Sequence, residues 1–156
     1  MSYTLQSIIG CKQNIEKIAV SFKNAMLVDL PQDFAMVLMN DSLYNEINNQ
    51  TSSSNIANCV YLTENVESQL TSYMDGQQFG YVESEFFGGT GGHVGVVYDE
   101  DGQRHIYSFD QNSMNKTLRK LGVSKGGHYD EFKALQLGRH RSNRGWMTEA
   151  NRRNVD

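Results

Sequence analysis

The chain has 156 residues, 38% hydrophobic and 21% charged, with a formal net charge of −4. That size and balance suit one globular domain over 1–156 and exclude a disordered chain. Its apolar runs are too short to span a membrane, residues 1–10 lack the basic start and apolar stretch of a signal peptide, and Cys11 and Cys59 alone make no disulfide framework, so the expectation is a cytoplasmic, reduced protein.

Residues 3–9 alternate weakly and predict a first strand. Ile15, Ile18, Ala19 and Phe22 recur at helical spacing, so 12–24 reads as an amphipathic helix. Pro31 splits the apolar stretch 25–39, which predicts a hairpin with strands near 26–30 and 34–39. Asn40 or Asp41 caps a short helix to Asn48, with Leu43, Tyr44 and Ile47 on one face. The polar stretch 48–55 reads as a surface loop. Val66, Leu70, Tyr73 and Met74 then mark a helix ending near Asp75, with Gly76 as its terminator.

Three β-type runs follow at 79–87, 93–98 and 103–109. The glycine cluster Gly88, Gly89, Gly91 and Gly92 lies between the first two and reads as a strand connection. It lacks the Gly-Lys-Ser/Thr ending of a phosphate loop, and Val94 stands where a dinucleotide fingerprint starting at Gly89 needs its third glycine. Asp99–Gly102 forms the turn between the last two runs. Ser113 caps a helix carrying Met114, Leu118 and Leu121, which stops at Gly122. Two short helices follow near 130–136 and 143–150, with Trp146 as a buried anchor and a loose tail from about 151. Without regular β-α alternation, the expected fold is α+β: a mostly antiparallel sheet of four to six strands, with helices packed mainly on one face.

Charge divides the chain. Residues 1–115 hold 14 acidic and 4 basic side chains, whereas 116–156 hold 4 acidic and 10 basic ones. Either the acidic body attracts its own basic segment, Arg139–Arg144, or the two poles meet different partners. Glu83 and Glu85 share one side of their strand, and Asp99, Glu100 and Asp101 crowd the hairpin tip, with Asp110 at the end of the next strand. These six acids are read as an exposed face that receives a basic partner. An overall acidic chain is not expected to bind nucleic acid directly. No Cys/His/carboxylate spacing predicts a metal site, and no cofactor motif is present. A four-residue loop at Asp99–Gly102 would pair Tyr98 with Gln103 and put His93 and His105 on opposite faces, unless a bulge intervenes.

Two resemblances carry the functional expectations. The run GGHVGVVYDEDGQRHIYSFD resembles the histidine-bearing hairpin of papain-like peptidoglycan amidases of the NlpC/P60 and CHAP type. That likeness implies a cysteine hydrolase with Cys59 as nucleophile, His93 as base and His105 as orienting residue, although Asn58-Cys59-Val60 departs from the polar cysteine motif of those enzymes. The segments YVESEFFGGTGGHVGVVYDEDG and LRKLGVSKGGHYDEFKALQLGRHR, within 79–141 or roughly 40% of the chain, resemble blocks of small bacterial proteins similar to immunity proteins of contact-dependent and other polymorphic toxin systems. That likeness brings no catalytic residues. It implies a non-enzymatic toxin inhibitor whose partner is the C-terminal domain of a cognate toxin, a basic nuclease.

Overall fold

The protein's structure, a computed structural model, describes the backbone of residues 2–155 and the side chains of residues 2–152. Six strands are present: β1 (Ser2–Cys11), β2 (Leu27–Leu30), β3 (Phe34–Leu38), β4 (Phe79–Phe87), β5 (Thr90–Tyr98) and β6 (Arg104–Asp110). They make one sheet in the order β2-β3-β1-β4-β5-β6, and each neighbouring pair is antiparallel. The helices among the described residues are α1 (Lys12–Ser21), α2 (Asp41–Asn48), α3 (Glu64–Met74), α4 (Ser113–Leu121), α5 (Glu131–Ala134) and α6 (Asn143–Val155). The fold is therefore α+β. Helix α6 runs on through the segment read from sequence as a loose tail.

Side-chain alternation sorts the core into two layers. In β1, Ile8 points to one face and Leu5 and Ile9 to the other, and all three are fully buried. Ile8 and Tyr81 pack under Ile15 and Ile18 of α1, Leu43 and Ile47 of α2, and Val66 and Leu70 of α3. Leu5, Ile9 and Val82 pack under Met114 and Leu118 of α4, Leu135, and Trp146 of α6. Helices thus cover both faces, where the sequence reading places them mainly on one. The reason shows in β3, whose five residues FAMVL are all buried: a strand with no polar side has no face to give to water. Each aliphatic side chain fully buried in these layers contributes about 1.5–3 kcal/mol.

Local chemistry sets the element ends. Asn40 Oδ1 accepts from Leu43 N at 2.9 Å to start α2, and Thr63 Oγ1 accepts from Val66 N at 3.2 Å to start α3. Asn112, not Ser113, precedes α4; Ser113 is its first residue and donates its hydroxyl to the Ser108 carbonyl. Gly88 and Gly89, at φ 62° and 82°, form the two-residue turn that joins β4 to β5 with Phe87 opposite Thr90. Gly95 serves packing: a Cβ there would lie 1.8 Å from Thr117 Oγ1, so only glycine lets α4 approach β5 this closely.

The β5–β6 register departs from the four-residue loop. Tyr98 pairs with Arg104 and Val97 with His105. The cause is the Asp99 side chain, which accepts from the backbone N–H of both Asp101 and Gln103 at 2.9 Å and closes the turn around itself. A one-residue slip reverses every face. Further along, an extra residue in β6 separates the pairs Gly95–Tyr107 and His93–Asp110. His93 and His105 consequently share a face instead of opposing ones, but Val97, the partner of His105, is four positions along β5 from His93, about 13 Å along the strand.

Candidate binding surface

Glu83 corrects the expectation of an exposed acidic strand. It is only 7% exposed, and its carboxylate accepts from Val60 N at 2.7 Å, Tyr61 N at 3.0 Å and the Tyr81 hydroxyl at 2.6 Å. The residue is a brace: it holds the loop between α2 and α3 down on the central strand, and both of its oxygens are engaged there. The loop needs this anchor because Ala57 and Asn58 both adopt left-handed backbone, at φ 53° and 60°. Glu85, two residues on along the same face, is exposed, and its side chain makes no hydrogen bond or ion pair among the described residues.

Between the braced loop and the strands lies a cavity of about 310 Å³ lined by Gln6, Asn58, Val60, Glu83, Glu85, Val94 and Phe109. Its mouth is apolar. Val60 is 64% exposed and Phe109 60%, with Ile106 next along the same side of β6 and Phe87 exposed at the β4 end. Sequence reasoning missed Val60, Ile106 and Phe109 as surface residues. The available signal was β6 itself, RHIYSFD, which carries Ile106 and Phe109 besides the inward Tyr107 and so holds more apolar side chain than one buried face needs.

Of the other proposed contact acids, Glu100 and Asp101 are exposed and without ionic partners among the described residues. Asp110 is exposed and caps the Asn112 N–H at 2.9 Å. Asp99 is occupied by the turn and by His105, whose Nε2 lies 2.8 Å from Oδ2; the His105 hydrogen bond, with those from Gln103 and Asp101, holds the Asp99 carboxyl below the usual range. The basic segment does not dock on this tip. Arg139 and His140 instead bind Glu149 of α6, at 2.9 Å and 3.0 Å, and the Arg139 guanidinium lies 4.9 Å from the Trp146 ring centre.

The residues of the hydrolase expectation are not brought together. Cys59 lies buried in the layer beneath α1–α3, where burial foremost, and then the nearby Glu83 charge, push its thiol far up from its ordinary value. His93 projects from the other face, between Phe86 and Phe132, with Nδ1 2.5 Å from Ser84 Oγ. Burial lowers His93 to about 4, only partly offset by the Asp130 charge. A papain-type mechanism needs a thiolate beside an imidazole, and the sheet separates these two groups.

Among the described residues, no three His, Cys, Asp or Glu side chains cluster as a metal site requires, and no helix is long and apolar enough to cross a membrane. Comparison with protein-family models, curated proteins and solved structures gives no match for this chain.

Proposed function

We propose that the protein is an immunity-type inhibitor that binds a cognate bacterial toxin domain, a basic nuclease by the charge complementarity, and occludes its active site. The observation that carries this reading is the pairing of exposed apolar side chains, Val60, Ile106 and Phe109, with the unpaired carboxylates of Glu85, Glu100 and Asp101. Apolar centres supply affinity in protein interfaces, while surrounding charge sets capture rate and partner choice. On this reading the carboxylates take the part that the phosphate groups of a nucleic acid would play against the nuclease.

The test looks for a secreted toxin encoded beside the gene for this chain and, where one is encoded there, measures binding of its C-terminal domain. Replacing Glu100 and Asp101 together with lysine is expected to slow its association by about tenfold at low salt and to flatten the salt dependence, with the melting temperature unchanged. Absence of binding to that domain, or an unaltered association rate in the variant, refutes the reading.

A further inference from the structure

We propose that the partner adds a β-strand to the free edge of β6; this rests on the binding reading above and specifies its mode. Strand β6 ends the sheet, and among the described residues no further element pairs with its outer side. Its hydrogen-bonding phase is fixed at the turn, where Asp99 N donates to Gln103 O at 3.0 Å. Antiparallel residues alternate between facing the ladder and facing away. Gln103, His105 and Tyr107 therefore turn their N–H and C=O groups to β5, and Arg104, Ile106 and Ser108 turn theirs outward. Ser108 gives its carbonyl to the Ser113 hydroxyl. The outward groups of Arg104 and Ile106 have no partner within the described residues, and both side chains are exposed.

That edge borders a groove. A space of about 770 Å³ lies between α3, which supplies Glu67, Ser68 and Thr71, and the strands, which supply Tyr98, Arg104 and Ile106. A strand laid along β6 would place every second side chain in this groove, beside Ile106. The main chain would supply the hydrogen bonds and the groove the choice of side chain.

Charge decides the occupant. Helix α3 carries no basic residue, Glu67 and Arg104 neutralise each other at 2.8 Å, and the exposed Glu64 leaves the helix acidic. At the tip end, Gly76 sits so close that a Cβ on it would be 3.8 Å from the Glu100 carbonyl, which brings Asp75, Glu100, Asp101 and the C-terminal carbonyls of α3 together. A second copy fits badly: antiparallel pairing about Ile106 would set each Gly102 against the other copy's Asp110 and press the acidic tip onto it. The occupant is an extended segment of the partner with apolar side chains in alternation and lysine or arginine near the tip.

The experiment follows amide hydrogen exchange of the full chain by NMR, with a short synthetic peptide of alternating lysine and valine as the probe. Exchange at Arg104 and Ile106 is expected to slow by about tenfold or more, while His105 and Tyr107, already in the ladder, stay as they were. A glutamate–valine peptide should give no protection. Ile106→Pro, which deletes one outward donor, should weaken peptide binding by about tenfold or more, whereas Ile106→Thr, which keeps it, should retain the protection. The wild-type exchange data stand even if the proline variant fails to fold. Strand addition is overturned if the lysine peptide leaves both amides unprotected, if the glutamate peptide protects them equally, or if the free protein sediments as a dimer with both already protected. Toxin-domain binding with both amides unprotected refutes only the strand mode; failure of that domain to bind refutes the inhibitor reading itself.

Discussion

The two edges of the sheet are treated differently. Strand β2 has four residues, is followed at once by Pro31, and is flanked by α1 and α6; Lys12 at the start of α1 reaches Asp29 at 3.1 Å. Gln32, just beyond it, exchanges hydrogen bonds of 2.7 and 3.0 Å with Ser124 of the opposite layer. Strand β6 has seven residues, no proline and exposed apolar side chains. A short, covered edge with a proline beside it is how proteins block unwanted pairing. The same chain applies these devices at one edge and omits them at the other, so the openness of β6 does not follow from any general looseness of the sheet.

That contrast breaks first at α6. Trp146→Ala removes a fully buried ring from the layer that covers the β2 end, and unfolding by denaturant should show a loss of about 3–5 kcal/mol. Phe109→Ala on the open side should cost less than about 1 kcal/mol. Comparable losses at the two sites would mean that Phe109 is structural and the edges are alike.

A finer comparison separates two glutamates on one strand face. Glu83→Ala strands the Val60 and Tyr61 N–H groups and the Tyr81 hydroxyl, for an expected loss of about 2–4 kcal/mol. Glu85→Ala should stay within about 0.5 kcal/mol in the same denaturant assay. Equal effects would remove the distinction between brace and surface.

The smallest effect lies at the tip. The folded Asp99 carboxyl titrates below its ordinary range, so the ionised group stabilises the turn above that range, and the contribution is lost as pH falls through the lowered folded value. In His105→Gln, the Asp99 midpoint followed by NMR should move up, with little change in melting temperature at neutral pH because the pair is exposed. A midpoint that stays put would show that the turn amides alone hold Asp99 down.

Periodicity made most of the fold legible. Ile15/Ile18 and Val66/Leu70/Met74 each announce a helix face, although α1 stops at Ser21 and leaves Phe22 in extended backbone just past its end, and Pro31 and Gly122 mark breaks that the structure keeps. Exposure of Glu85, Glu100 and Asp101 was legible too. The depth of Glu83 was not: alternation places Tyr81, Glu83 and Glu85 on one face, but burial depends on a loop from more than twenty residues upstream folding over that face. The β6 register was hidden for a related reason. Loop length alone does not reveal that Asp99 spends its side chain on two backbone donors and moves the pairing by one residue.

The brace at Glu83 has an evolutionary consequence. It grips its loop through the main-chain N–H groups of Val60 and Tyr61, so the side chain at position 60 takes no part in the grip. Substitution there alters what the mouth of the cavity offers without loosening the loop that presents it. If this surface binds a partner as proposed, recognition and stability become separately inherited traits at this position, and a lineage can change the partner it accepts while its fold stays intact.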